Sequence, residues 1–222
     1  MVDVISWESV AAVGALGTAA FGIVDGLKWT RFGSAGFGEV RRHMDKYTAV
    51  LVAAFGPDAW TLLESQYRNG RTNGELPRSL RQAVRIGLRP ENSDQVCAAL
   101  GGAVTPQQLN AAATAVQAGQ VLSDTDRQVI ARYEMAVDAR IDGALGAAES
   151  YFVGASRVLA MAVALGLAIA AAFLLRQNFG DVDDFTLFSM AILIGLAAVP
   201  IAPIAKDLAS GLTAAVSALR RK

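Results

Sequence analysis

Residues 158–175, VLAMAVALGLAIAAAFLL, and residues 185–205, FTLFSMAILIGLAAVPIAPIA, are two long apolar runs separated by a short acidic loop. An uncharged helix of about 18 residues or more crosses roughly 30 Å of hydrocarbon at 1.5 Å per residue, so the pair reads as a membrane hairpin. Only Thr186 and Ser189 are polar in the second run. Everything before the hairpin then has to be placed relative to a bilayer.

A third apolar stretch, Val10 to Val24, is rich in small residues. A span from about Ile5 to Trp29 would put Glu8 and Asp25 at the interfaces and Trp7 and Trp29 at the headgroup levels. Its uncharged core is short, and the alternative is an amphipathic or buried helix packed on the other two. Met1 to Ser9 has Asp3 and Glu8 but no basic residue. It therefore lacks the positive start of a secretory signal and is expected to stay on the mature protein.

Lys and Arg near the span ends set the orientation. Lys28, Arg31, Arg41, Arg42 and Lys46 follow the first span, and Lys206, Arg220, Arg221 and Lys222 follow the third. Both regions are expected in the cytoplasm, with the N-terminus and the loop carrying Asp181, Asp183 and Asp184 outside a plasma (inner) membrane.

The 222 residues are 53% hydrophobic and 18% charged, with a formal net charge of zero, so nothing global favours nucleic acid. The apolar excess is concentrated in the candidate spans. Cys97 and His43 are each the sole residue of their kind, which excludes an intrachain disulfide and leaves a histidine-rich metal site or a catalytic triad without parts. Cys97 reads as a buried small residue and His43 as a helix-surface one.

Residues 39–150 read as helices. Val40, Met44, Tyr47, Leu51 and Phe55 form one stripe that ends at Gly56-Pro57. Asp58 starts a helix with Trp60, Leu63 and Tyr67, and Pro77 starts another with Leu80, Val84 and Leu88 buried. A short helix covers Asp94 to Leu100. Thr105-Pro106 with Gln108 forms a capping box for Gln107 to Ala118, and Ser123 with Asp126 signals the next start. From there Ile130, Tyr133, Val137, Ile141, Leu145, Ala148 and Phe152 carry a stripe into the second span. Asp124 to Leu175 is thus expected to be one helix on the order of 75 Å long, tying a cytosolic domain to the bilayer. Gly33, Gly36 and Gly38 do not match a phosphate loop and read as a flexible hinge.

The expected fold is therefore all-α and polytopic, with three transmembrane helices and a cytosolic helical domain inserted between the first and second. A first transmembrane helix at 1–30 is followed by the domain at 31–122 and the long helix at 123–175. An acidic external loop at 176–184, the third span at 185–205 and a cytosolic amphipathic helix at 206–222 complete it.

Small residues recur at four-residue spacing as Ala11, Ala15 and Ala19, as Gly14, Thr18 and Gly22, as Ala160, Ala164, Ala168 and Ala172, and as Ala162, Gly166 and Ala170. In lipid such rows let helix backbones approach, and their number predicts a homo-oligomer, packing within one chain being the alternative. Glu8, Asp25, Asp181, Asp183 and Asp184 would form acidic rings in a ring of subunits, as cation pores use. Interface residues, and Asp184 capping the third span, are the plainer alternative. Pro200 and Pro203 are hinge candidates in the third span.

Arg78, Arg81, Arg85 and Arg89 make a basic helix face for anionic lipid, a nucleotide or an acidic protein partner, opposed nearby only by Glu75. No cofactor or metal site, nucleic-acid surface or catalytic constellation is legible. A homo-oligomeric pore or ion channel with a cytosolic regulatory domain is the leading expectation. A membrane-anchored adaptor or scaffold is the rival, and a sensor signalling along the long helix is a third.

Overall fold

The computed structural model describes residues 7–27, 30–70, 74–100, 102, 104–176 and 183–220, and side chains within 11–203; among these residues every regular element is a helix. The chain divides into two units, residues 29–152 and residues 1–28 with 153–222.

Residues 29–152 form a helical domain. A 3-10 turn, Arg31–Ser34, leads into α2, Phe37–Met44, and a second one, Asp45–Tyr47, joins α2 to α3, Thr48–Phe55. The single helix expected across this stretch is therefore two. The short 3-10 turn leaves the stripe nearly in phase, so that Tyr47, Val50 and Leu51 are buried together with Val40 and Met44.

Next come α4, Ala59–Gly70, and α5, Glu75–Gly87. The latter starts two residues before Pro77, in whose position a missing N–H is harmless because the first-turn amides have no intrahelical partner. Gly87 lies against Val50, where any Cβ would overlap the Val50 carbonyl oxygen, so α3 and α5 meet backbone to backbone.

A 3-10 turn, Pro90–Asn92, precedes α6, Ser93–Ala99, and α7, Pro106–Gln117. The Thr105 hydroxyl accepts from the Gln108 N–H and the Gln108 side chain accepts from the Thr105 N–H, both at 3.3 Å. The same reciprocal arrangement of Ser123 with Asp126 opens α8, Asp124–Leu175, one helix of 52 residues. Its Val129, Tyr133, Val137, Ile141, Ala144 and Ala148 complete a core built from Phe37, Met44, Tyr47, Leu51, Leu63, Tyr67, Leu76 and Leu80.

The other unit consists of α1, Trp7–Gly26, the end of α8 from residue 153, and α9, Asp184–Arg220. Two of these helices, α8 and α9, contain segments long and apolar enough to cross a membrane; the apolar part of α1, Ala11–Gly26, is shorter. Gly14, Gly17, Ala20 and Val24 of α1 are buried, as are Ala160, Ala164, Ala168 and Ala172 of α8 and Ala191, Gly195, Ala198, Val199 and Ala202 of α9. A Cβ at Gly17 would overlap the Ala198 carbonyl oxygen, and one at Gly195 would come within 2.7 Å of the Leu165 Cα.

No separate helix begins at 206. Instead α9 continues through Pro200 and Pro203 to Arg220, because the fixed φ of proline is itself helical and its neighbours Ala198, Val199 and Ala202 are held by packing.

Candidate functional site

The arginines do not form one open stripe. α5 ends at Gly87, so Arg89 lies beyond it, its N–H donating to Asn92 Oδ1 at 2.9 Å. The two central arginines face α8. Arg81 Nε is 3.1 Å from Asp138 Oδ1 and its Nη2 2.8 Å from Asp142 Oδ1, while Arg85 Nε is 3.0 Å and Nη2 3.1 Å from the two Glu134 carboxylate oxygens.

Glu134, Asp138 and Asp142 recur every four residues, so they stand on one flank of α8 opposite two arginines that are themselves four apart. Those acids lie 49 to 61 residues downstream, which is why counting neighbours along the chain finds only Glu75. Their four-residue spacing was the available signal. Beside this ladder the Tyr133 hydroxyl donates to the buried Val84 carbonyl at 3.1 Å. Burial pushes the phenol pKa of Tyr133 well above its ordinary value, and that of Tyr47 up as well. Arg78 is exposed on α5.

Two acidic residues of the hairpin, Asp183 and Asp184, have local structural partners. Asp183, rather than Asp184, caps α9: its Oδ2 accepts from the Thr186 N–H at 3.0 Å and its Oδ1 from the Thr186 hydroxyl at 2.7 Å. These bonds favour the charged form and hold its carboxyl below the usual range, the side-chain bond most. The cap falls one residue earlier than expected because the first helical turn takes its cap from the residue before it. Asp184 is ion-paired with Arg176 across the hairpin. Asp25 is exposed in the last turn of α1. Glu8 lies in the first turn of α1 with its side chain outside the described residues, as is the whole of Asp181.

Only some of the small-residue rows face inward. The row Ala160, Ala164, Ala168 and Ala172 is consumed inside the chain, as are Gly14 and Gly17. The rows Ala11, Ala15, Ala19 and Ala162, Gly166, Ala170 remain exposed, and so do Thr18 and Gly22.

Within the glycine segment Gly33 and Gly36 are buried, whereas Gly38 is exposed. Gly36 has a φ of +100°, and a Cβ there would overlap the Ala148 carbonyl oxygen and lie 2.7 Å from the Tyr67 hydroxyl. The Tyr67 hydroxyl donates to the Ala35 carbonyl at 3.3 Å, and Phe32 stacks on Phe152 with centroids 5.6 Å apart. Phe37 packs on Trp60 and Tyr67, and the Arg41 guanidinium lies 5.8 Å from the Trp60 ring centroid. Sequence reasoning could not find this cluster, because its members come from α2, α4, α8 and the first 3-10 turn.

Cys97 is buried, and burial raises its thiol pKa; His43 is half-buried with Nε2 3.9 Å from Glu39 Oε2. Among the described residues no three His, Cys, Asp or Glu side chains converge as a metal site. What the geometry assembles is a domain built on an apolar core with ion pairs along its surface, and a helical unit packed through small residues. No protein-family model, no curated protein and no solved structure matches the chain.

Proposed function

We propose that the chain is a polytopic membrane protein that holds a folded helical domain at the cytosolic face of a bilayer and associates with copies of itself. One observation carries this reading. In α1, the end of α8 and α9 the interior is alanine, glycine and valine, whereas Leu174 is 78% and Phe185 83% exposed. Exposed faces that are apolar at this length suit hydrocarbon, and small residues inside are how helices pack there without a hydrophobic drive between them.

α1 serves as a third span in this reading, and the Lys and Arg distribution puts residues 30–152 and the C-terminus inside. The exposed rows on α1 and α8 support self-association. Scaffolding or adaptor work is the role this reading gives the domain, but its central arginines, already paired with α8, do not supply the partner face, which leaves the exposed Arg78 of α5. Extraction with alkaline carbonate tests the membrane step: the protein should stay with the membranes, and release into the supernatant would overturn it.

A pore is the second reading, supported by the acids of the hairpin. The buried described side chains of α1, α9 and α8 from residue 153 include no charged group, and this reading puts the acids around a path between copies. Neutralising Asp25, or Asp181, Asp183 and Asp184 together, should then change cation flux in proteoliposomes. Unchanged flux would remove those residues from any path.

A further inference from the structure

The stripe of α8 that builds the domain core does not stop where the core stops. Tyr133, Val137, Ile141, Ala144 and Ala148 are buried, and the next three-residue step brings Tyr151 to the same helix face, yet Tyr151 is 55% exposed. Beside it Phe152 is half-buried against Phe32. Phe32 stands near the beginning of the domain's sequence and Phe152 at its end, and their rings meet.

The same end of the domain collects further aromatic rings. Gly36 packs on Ala148 and on the Tyr67 hydroxyl, Tyr67 on Phe37, and Phe37 on Trp60, which is half-buried and carries the exposed Arg41 over its ring. Aromatic side chains with an apolar body and a polar edge are enriched at headgroup depth, and a guanidinium matches a phosphate.

We propose that this aromatic end, with Tyr151, Phe152, Phe32 and Trp60 as ring contacts and Arg41 as the phosphate partner, seats the domain in the headgroup layer of the bilayer that carries its own spans. The proposal rests on the membrane reading given above. It adds that the domain touches lipid through a defined surface.

The test uses the full chain in lipid nanodiscs, with Trp7→Phe and Trp29→Phe leaving Trp60 as the only tryptophan. A second protein, also Trp60→Phe, carries Tyr151→Trp, and a third carries Leu193→Trp in α9 instead. Nitroxide lipids labelled at the headgroup or at the chain end are the quenchers. Trp60 and the residue-151 reporter should lose emission to the headgroup label and not to the chain-end label, while the residue-193 reporter loses it to the chain labels. If the residue-193 reporter is quenched and the other two respond only to aqueous iodide, the seating is overturned and the membrane reading stands. If no reporter is quenched by either lipid label, both fall together.

Discussion

The two units of this chain are built from opposite choices. Between residues 29 and 152 the interior holds Tyr47, Tyr133, Met44, Leu51, Leu63 and Leu80, and the charged side chains stand outside. In α1, the end of α8 and α9 the interior holds alanine and glycine, and leucine, isoleucine and phenylalanine stand outside. Water rewards hiding large apolar side chains, at about 25 cal/mol per Å² of apolar area removed. A lipid tail offers no such reward, so close packing between backbones decides what goes inside. On the membrane reading proposed above, one polypeptide carries two solvent assignments, and α8 passes from one to the other within a single helix.

The sharpest way to break this comparison is a matched truncation. Leu80→Ala should destabilise the domain by about 2–5 kcal/mol, the range for emptying a buried leucine site. Leu193→Ala, on an exposed face, should stay within about 0.5 kcal/mol. Thermal unfolding in the same detergent reads both, and equal losses would mean that α9 is packed like a water-soluble core.

Leu193→Arg sharpens the same contrast. On a water-facing surface it would be tolerated, whereas at the centre of a membrane span it costs about 2.5–3.5 kcal/mol on insertion scales. Membrane insertion followed by glycosylation mapping should therefore fall.

Enlargement should hurt where truncation does not. Ala164→Leu is expected to lower the stability of the apolar unit by about 1–3 kcal/mol through overpacking, measured by melting in detergent.

All four tyrosines lie in residues 29–152, so the phenol contribution at alkaline pH falls in one unit. Burial raises the phenol pKa of Tyr133, and that of Tyr47, above their unfolded values. The folded state then holds protons that the unfolded state releases. The contribution of these two phenols to stability is fully present below about pH 10 and declines as pH rises beyond it. Far-ultraviolet melts should show this decline in the full chain and a smaller one in Tyr133→Phe.

The least effect is expected at the ion ladder. Arg81→Ala should remove roughly 0.2–1 kcal/mol for each exposed pair, and less at 1 M salt, where screening shortens to about 3 Å. A loss unaffected by salt would assign the role of Arg81 to packing of its methylene stem.

Local chemistry made much of the helix pattern legible. The Thr105–Gln108 box and the Ser123–Asp126 start are signals spanning three residues, and each opens a helix where expected. The unbroken run from Asp124 to Leu175 follows from a sustained stripe with no proline. Less local features escaped. The 3-10 turn at Asp45–Tyr47 leaves the stripe nearly intact, so periodicity alone could not divide α2 from α3. The charge pattern of α5 looked like a binding face because its partners sit on a distant helix.

By itself the sequence determined that the chain is helical, that it carries long apolar runs, of which it suggested three as spans where two are long and apolar enough, and that small residues recur at four-residue spacing in the first and second of them. Those properties depend on neighbours within a turn or two. Only the tertiary structure decided which small-residue rows are consumed inside the chain, that Arg81 and Arg85 are engaged by α8, and that Gly36 is held against Ala148. Each of these is a pairing between elements far apart in sequence, chosen by packing and charge complementarity that no stretch of the chain carries alone.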